Sequence, residues 1–330
     1  MSESMAPADI VTRLRAAGCV FAEDEAELLI AAARTPAELA AMVHRRAAGL
    51  PLEHVLGWAE FCGLRIEVDP GVFVPRRRTE FLVGQAAALV RAAAGPGGSG
   101  GGSVGSGGSS GRAATVVLDL CCGSGALGAA LVAALDRVEL HAADIDPAAV
   151  RCARRNLAAV GGQVYQGDLY EPLPAALQGR VDILTANVPY VPAGEIALLP
   201  AEARVHEARV ALDGGADGLD VLRRVSAAAS LWLAPGGHLL VETSERQAPQ
   251  AVEIVARSAL IPRLTSSEDL GATVVIGTRP PSQPHPPSQP ATRPASPTRP
   301  ASPTRPASPN PPSWTMIVER SLRFSATNTP

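Results

Sequence analysis

The stretch VVLDLCCGSGALG, residues 116–128, is an apolar run that meets a glycine-rich turn and then the start of a helix. Glycine lets a backbone approach a ligand closely, and the N-terminus of the helix that follows offers free N–H donors. Asp119 stands at the end of the predicted strand, four residues before Gly123. The stretch therefore predicts a strand-to-helix turn that binds a ligand, with a carboxylate beside it.

Two ligands fit the glycine spacing of this turn. Gly123, Gly125 and Gly128 match the dinucleotide fingerprint GxGxxG. Asp119 followed by Gly123 and Gly125 matches the S-adenosylmethionine loop of class I methyltransferases, where an acid answers the ammonium group of the ligand directly or through water. A pyrophosphate has no use for an acid there, so Asp119 favours S-adenosylmethionine. The loop residues expected at the cofactor are Cys121, Cys122, Gly123, Ser124 and Gly125.

Outward from this turn, strands alternate with alanine-rich helices through residues 112–279. The candidate strands are TVVLDL, ELHAADI, QVYQGDL, VDILTAN, GHLLVET and ATVVIG. Strands that alternate with helices imply right-handed crossovers and a mostly parallel sheet covered on both faces. The predicted fold class is therefore α/β, with a doubly wound, Rossmann-like sheet.

Acidic residues end two more of these strands. Asp144, followed by Ile145, is placed to accept both ribose hydroxyls of an adenosyl ligand, a role that nicotinamide enzymes also give to an acid. Asp168, followed by Leu169, is placed to accept from the adenine amino group. Ligands of doubly wound sheets bind outside the carboxyl ends of the strands. We therefore expect these residues to lie together with Asp119.

The stretch TANVPY, residues 185–190, ends the fourth strand in an amide, a proline and an aromatic ring. An amide or amino nitrogen is a weak nucleophile, so a site that methylates it must orient both of its N–H bonds. The Asn187 side-chain oxygen can accept one N–H and the Val188 carbonyl the other. Pro189 stiffens the turn, and Tyr190 offers a planar wall. These four residues are the predicted catalytic group, and Asn187 is also expected beside the cofactor.

Two further regions precede the glycine turn. Residues 1–50 predict a short helical region, in which Thr35 caps a helix; it is expected to be too short for much of a core and to bind a neighbour or partner. Residues 51–94 predict a β-hairpin connector with its turn at Asp69-Pro70-Gly71, and then a helix capped by Thr79.

Two segments of biased composition complete the chain. Residues 95–111 are rich in glycine and serine and predict a flexible loop. Residues 280–330 contain TRPASP three times in a row and predict a disordered, Pro-rich tail, since such a segment offers no apolar surface to offset chain entropy.

Charge and cysteine usage exclude several classes of function. A formal net charge of -3 and a pI near 6.1 argue against a general binder of nucleic acids or anionic membranes. The five cysteines form no CxxC pair, which predicts reduced thiols and no metal site. The sequence shows neither a signal-peptide pattern nor an apolar run that could span a bilayer. It therefore predicts a cytoplasmic protein without membrane or direct nucleic-acid partners.

Across residues 51–279 the chain resembles the bacterial protein-(glutamine-N5) methyltransferases. PLEHVLGWAEFCGLRIEVDPGVFVPRRRTE is similar to the hairpin connector of that family, and NVPY stands in the place of its Asn-Pro-Pro-Tyr signature. EARVALDGGADGLDVLRR resembles the segment that follows. The resemblance implies a class I methyltransferase fold with seven strands, S-adenosylmethionine as cofactor, and a glutamine of a release factor or ribosomal protein as methyl acceptor.

The same resemblance implies a role for individual residues. Asn187 and the Val188 carbonyl would hold the glutamine, and Tyr190 would pack on it. Thr79 would lie near the methionine end of the cofactor. The residues that would hold the cofactor itself are Asp119, Gly123, Gly125, Asp144 and Asp168.

Departures from the family pattern keep other functions open. Val188 replaces the first proline of the signature, and PRRRTE at residues 75–80 has arginines where Pro-Glu is common. The arginines Arg76 to Arg78 are interpreted as a solvated face, with a partner-binding patch as the alternative. Glu207 is interpreted as a surface charge, with a place in the lining of the substrate groove as the alternative. The alternatives are an adenine-N6 methyltransferase acting on RNA or DNA, a non-catalytic homologue that binds the cofactor, and a nicotinamide dehydrogenase, which would leave Asp119 and NVPY unexplained.

Overall fold

The computed structural model describes residues 5–93 and 114–281. Both ranges belong to one compact unit, Met1–Gln283. The predicted loop at residues 95–111 and the predicted tail, from residue 282 onward, lie outside the described residues. Within the described ranges, no helix combines the length and apolar character that crossing a membrane requires.

The N-terminal region forms helices α1 (Pro7–Ala16), α2 (Ala22–Ala32), α3 (Pro36–Ala47) and α4 (Leu52–Leu56). Thr35 caps α3 as predicted, because its hydroxyl accepts the N–H of Glu38 at 3.1 Å. The expectation that this region lacks much of a core was wrong. Helix α4 lies in the stretch predicted as connector, yet its Val55 packs into the N-terminal apolar cluster. This cluster includes Ile10, Leu14, Leu29 and Val43.

The connector forms a hairpin of β1 (Trp58–Phe61) and β2 (Leu64–Glu67). Its turn lies at Cys62 and Gly63, whose φ angles of 51° and 72° are those that a two-residue hairpin loop requires. The prediction that the hairpin turns at Asp69-Pro70-Gly71 was therefore wrong, although that segment does form a turn of its own, in which the N–H of Val72 donates to the Asp69 carbonyl at 3.1 Å. Turns of this type are usually marked by Asn-Gly or Asp-Gly, and a cysteine is uncommon in the left-handed region. The Cys62-Gly63 turn therefore carries no clear signal in the sequence.

Helix α5 (Glu80–Ala93) follows a 3₁₀ turn at Arg77–Thr79. Thr79 does not cap this helix as predicted. Its hydroxyl donates instead to Oε2 of Glu242 at 2.6 Å, and both residues are buried.

The central sheet has seven strands in the order β5-β4-β3-β6-β7-β9-β8. Strands β3 to β7 are parallel neighbours, whereas β9 runs antiparallel to both β7 and β8. The α/β fold class with a mostly parallel, seven-stranded sheet is confirmed. The strands are β3 (Thr115–Leu120), β4 (Val138–Asp144), β5 (Gln163–Gln166), β6 (Val181–Ala186), β7 (Leu233–Thr243), β8 (Ile261–Ser267) and β9 (Ala272–Thr278). The helices between them are α6 (Ala126–Ala134), α7 (Pro147–Ala158), α8 (Ala201–His206), α9 (Asp220–Trp232) and α10 (Ala248–Arg257).

Alternate residues of the central strands feed two apolar cores, one on each face. Leu118 packs into a cluster that includes Val225 of α9 and Val255 of α10. Its neighbour Val117 packs into a second cluster, which includes Leu82 of α5 and Leu131 of α6. Burial on both faces explains why the central strands read as continuous apolar runs.

The strand order reverses between β3 and β6. From β3 the chain goes to β4 on one side and later returns to β6 on the other, which leaves a crevice outside their carboxyl ends. The register pairs Leu120 with Ala186, so the residues that follow them, Cys121 and Asn187, emerge side by side. The glycine turn and the NVPY stretch are thereby brought to one place.

Candidate active site

A cavity of about 600 Å³ lies at this crevice, a volume typical of small-molecule and cofactor sites. Its wall includes loop residues after β3, β4 and β6, together with the connector and residues 199–212. Most of the predicted site residues lie in this wall: Thr79, Cys121, Cys122, Gly123, Ser124, Asp144, Ile145, Asp168, Leu169, Asn187, Val188, Pro189 and Tyr190.

The glycine turn is tied to the end of β4 through Asp144. Its Oδ2 accepts the N–H of Gly123 at 2.8 Å, and its Oδ1 accepts the N–H of Asp146 at 2.9 Å. Each carboxylate oxygen has a second lone pair, so Asp144 can still accept from hydroxyl groups in the cavity. Burial raises the pKa of Asp144, while the N–H donors act to lower it.

The backbone of the turn leaves room for a ligand. Gly123 has φ 54°, and a Cβ there would meet no atom within 4 Å, so the loop faces open space. Cys121 and Leu169 reach φ angles of 55° and 50° despite their side chains. Such strained non-glycine residues persist where surrounding structure holds them, often at ligand sites. The shape and the acceptors therefore fit an adenosyl cofactor.

Two predicted cofactor residues are absent from the cavity wall. Gly125 lies at the start of α6, and a Cβ there would lie 3.1 Å from Leu157 of α7, so this glycine permits close helix packing. Asp119 is completely buried. Its Oδ1 accepts the hydroxyl of Thr185 at 2.9 Å, which joins the glycine-turn strand to the strand that ends in NVPY.

Asp119 gives the site a pH-dependent stability. Burial raises its pKa to about 7, and the negative charge of Asp144 adds to the shift. Because the folded protein then holds this proton more tightly than the unfolded chain does, its free energy of unfolding falls as the pH rises from about 4 to 7.

We expect Asp119→Asn, which keeps the acceptor for Thr185 but cannot ionise, to escape this loss. At each pH we subtract the free energy of unfolding of the wild type from that of the variant. This difference should increase by about 2–4 kcal/mol between pH 4 and pH 7 and stay constant above pH 7. Urea unfolding of both proteins without cofactor across this range measures it. Parallel curves would show that Asp119 is ionised throughout.

Asp168 has a partner that the sequence did not suggest. Its Oδ2 lies 2.6 Å from Nη2 of Arg224 on α9, and both residues line the cavity. The pair links the segment after β5 to α9 within the cavity wall, which also includes Asp144 and Leu169.

The NVPY residues follow β6, beside the glycine turn that follows β3. Asn187 is half-buried in the cavity wall, and Val188 is buried in the apolar core. Among residues 5–93 and 114–281, no group forms a hydrogen bond with the Asn187 carboxamide or the Val188 carbonyl. Neither oxygen is therefore engaged by a donor from that part of the chain.

The turn that carries Tyr190 is packed against a glycine-rich loop at residues 213–218. Val191 donates its N–H to Leu212 and accepts the N–H of Gly214 at 2.9 Å. The carbonyl of Tyr190 accepts from Nε2 of Gln247 at 3.0 Å. The glycines of the 213–218 loop permit this close approach, since a Cβ at Gly214 would lie 2.7 Å from the carbonyl oxygen of Pro189.

The structure corrects the interpretation of Glu207 as a surface charge. Its side chain is 1% exposed and lines the cavity; Oε1 accepts the N–H of Val74 at 3.2 Å and pairs with Arg76. Burial raises the pKa of Glu207. Arg76 and Arg78 keep 34% and 43% of their side chains exposed, but each also forms an ion pair with a buried carboxylate in or beside the cavity wall. No sequence signal paired these residues, which are more than a hundred positions apart in the chain.

Comparison with known proteins agrees with this geometry. Residues 110–224 match a family model described as the methyltransferase small domain. The chain is 35% identical to release factor glutamine methyltransferase of Geobacter sulfurreducens, over 74% of this chain and 79% of that protein. It is 33% identical to 4-amino-L-phenylalanine/4-methylamino-L-phenylalanine methyltransferase of Streptomyces pristinaespiralis, over 72% of this chain and 75% of that protein.

Among solved structures, the chain is similar to a protein-(glutamine-N5) methyltransferase from Alicyclobacillus acidocaldarius, with 21% identity and a TM-score of 0.37 over 66% of this chain and 100% of that one. The decisive observation is the sequence identity with the Geobacter protein, because it extends over most of both chains. This chain belongs to the release factor glutamine methyltransferase family, and it is an S-adenosylmethionine-dependent methyltransferase.

Proposed function

We propose that the enzyme methylates the side-chain amide nitrogen of a glutamine in a protein, with a peptide-chain release factor as the substrate. The single observation that carries this proposal is that Asn187 and Val188 both line the cavity while their side-chain and main-chain oxygens accept no hydrogen bond from the described residues. A primary carboxamide presents two N–H donors in one plane, which is the pattern that two such acceptors fit. The similarity to the release factor glutamine methyltransferase of Geobacter sulfurreducens supports a release factor as the acceptor.

The residues of this chain would act mainly by positioning. When bound, S-adenosylmethionine supplies an electrophilic methyl group. Asn187 and the Val188 carbonyl would hold both amide N–H bonds, so that the nitrogen lone pair faces the methyl donor. Tyr190 would stack on the planar amide. Orientation of this kind can contribute roughly 7–11 kcal/mol to lowering a barrier.

The strand-end acids and the glycine turn fit the cofactor. Asp144 would accept from the ribose hydroxyls, and Asp168, held by Arg224, would lie at the adenine end. The N–H groups and open backbone of the turn at Gly123 would lie against the rest of the ligand. Asp119 would support this loop from beneath, through its bond to Thr185.

The direct test supplies the enzyme with methyl-labelled S-adenosylmethionine and a purified bacterial release factor. We expect one methyl group on the glutamine of the Gly-Gly-Gln sequence, located by mass spectrometry of the protease-digested product. The control is the same factor with that glutamine replaced by alanine, which should remain unlabelled. Label on RNA or DNA in a parallel incubation with cell lysate would overturn the proposal in favour of an adenine-N6 methyltransferase.

A small aromatic amine is the second candidate substrate. The relative from Streptomyces pristinaespiralis, which is 33% identical, carries the name of an enzyme that methylates the amino group of 4-amino-L-phenylalanine. An exocyclic amine would fit the same two acceptors. Incubation with 4-amino-L-phenylalanine in place of the release factor decides between them, since methylation of the amino acid alone would identify this chain as a small-molecule enzyme.

A further inference from the structure

Arg78 contacts both the wall and the support of the candidate active site. Its Nε lies 2.8 Å from Oε1 of Glu242 on β7, and its Nη2 donates to the hydroxyl of Tyr190. The guanidinium carbon lies 5.8 Å from the centroid of the Tyr190 ring. Arg78 therefore bridges a buried carboxylate and the aromatic residue that ends the NVPY stretch.

Glu242 anchors this bridge. Its side chain is 3% exposed, and its second oxygen, Oε2, accepts the hydroxyl of Thr79 at 2.6 Å. A buried carboxylate that lacked its cation would be strongly unfavourable. Because Glu242 binds Arg78 and Thr79 together, it fixes the segment that leads into α5 as well as the guanidinium.

Tyr190 is consequently held at both ends. Its carbonyl accepts from Gln247, whose side chain is buried and also donates to the carbonyl of Asp217 at 2.9 Å. Its hydroxyl accepts from Arg78. Within the described part of the chain, Arg78 is the residue that hydrogen-bonds this hydroxyl. Without Arg78, no hydrogen bond from the described residues would hold the ring itself.

We propose that Arg78 is a positioning residue for methyl transfer, which acts by fixing the ring of Tyr190 against the substrate amide. This inference rests on the proposed function. A displacement of about 1 Å in an active site can reduce the rate on the order of a hundredfold. The planar guanidinium is needed because it can bind Glu242 and Tyr190 simultaneously through different N–H groups, which the single ammonium of lysine does less well.

The test compares Arg78→Met with Arg77→Met, which removes the same charge from the neighbouring exposed residue outside the cavity wall. With a purified release factor as acceptor, we expect Arg78→Met to lower kcat by roughly ten- to a hundredfold. Arg77→Met should stay within about twofold of the wild type, as surface substitutions usually do. Arg78→Lys should recover part of the loss. The dissociation constant of S-adenosylmethionine, measured by calorimetry, should change by less than about threefold, since the partners of Arg78 are Glu242 and Tyr190 rather than residues of the glycine turn.

A double-variant cycle with Tyr190→Phe separates positioning from direct contact. If Arg78 acts through the Tyr190 hydroxyl, its replacement should have almost no further effect once that hydroxyl is gone, because the two changes break one interaction. Losses that simply multiply would show that Arg78 contacts the substrate itself. A tenfold loss of cofactor affinity in Arg78→Met alone would show that it is a cofactor residue. Either result overturns the proposal.

Two controls distinguish loss of positioning from misfolding of the variant and from failure of the proposed function. If Arg78→Met fails to fold because Glu242 is left unpaired, the measurement is repeated on the double variant Arg78→Met/Glu242→Gln, in which the unpaired charge is absent. Wild-type enzyme that leaves the release factor unmethylated refutes the proposed function. Wild-type enzyme that methylates it while Arg78→Met equals Arg77→Met refutes the positioning role alone.

Discussion

Replacement of Asn187 by alanine is expected to reduce methyl transfer at least a hundredfold, on the order of the loss when one pre-organised hydrogen-bonding group leaves an active site. The side chain lies in the cavity wall, and its carboxamide has no hydrogen-bond partner in the part of the chain that the structure describes. Its removal therefore breaks no internal contact of this kind. The loss should appear in kcat with a release factor as the acceptor, while the free energy of unfolding stays near that of the wild type.

Asn187→Gln is the matched variant, because it keeps the carboxamide and moves it by one methylene. If orientation is the source of the rate, this variant should also lose most of the activity. The affinity for S-adenosylmethionine should fall much less than kcat in both variants, since the cofactor also contacts the glycine turn and the strand-end acids. Full activity in Asn187→Ala would remove this residue from the catalytic group.

The sequence predicted those parts of the site that lie at the ends of strands. The apolar patterns of β4, β5 and β6 are recognisable as strands in the sequence. Asp144 ends the first of them, and Asp168 and Asn187 come after the other two. Parallel strands bring their carboxyl ends to one edge of the sheet. Chain-local patterns are sufficient for that inference. The predicted fold class rests on the same alternation of strands and helices.

Residues that meet through the fold alone were not predicted. Glu242 lies 164 positions after Arg78 and 163 positions after Thr79, and no local pattern indicates that it pairs with either residue. Strand β8 escaped notice because IPRLTSS is polar and largely exposed at the edge of the sheet. Burial at Glu207 also depends on the connector packing against residues 199–212, which local patterning does not encode.

Gly218→Ala is expected to have the second large effect. Gly218 has φ 79°, and a Cβ there would overlap the carbonyl oxygen of Tyr190 and lie 2.5 Å from Nε2 of Gln247. The first of these atoms is backbone, and the second is fixed by its bonds to Tyr190 and Asp217. Neither neighbour can move cheaply, so the NVPY turn itself must shift. We expect a loss of roughly 3 kcal/mol or more in the free energy of unfolding, from strain and overpacking together.

Gly236→Ala separates these two causes. Gly236 has φ 82°, close to that of Gly218, but a Cβ there would meet nothing within 4 Å. It should lose only about 1–2 kcal/mol, the cost of the left-handed conformation for a residue with a side chain. Urea unfolding measures both losses, and methyl transfer should fall at least about a hundredfold in Gly218→Ala because Tyr190 is displaced. Equal losses of stability in the two variants would mean that the turn yields freely around position 218. In that case the positions of Tyr190 and of the two acceptor oxygens before it would not be fixed by packing, and orientation could not be the source of catalysis.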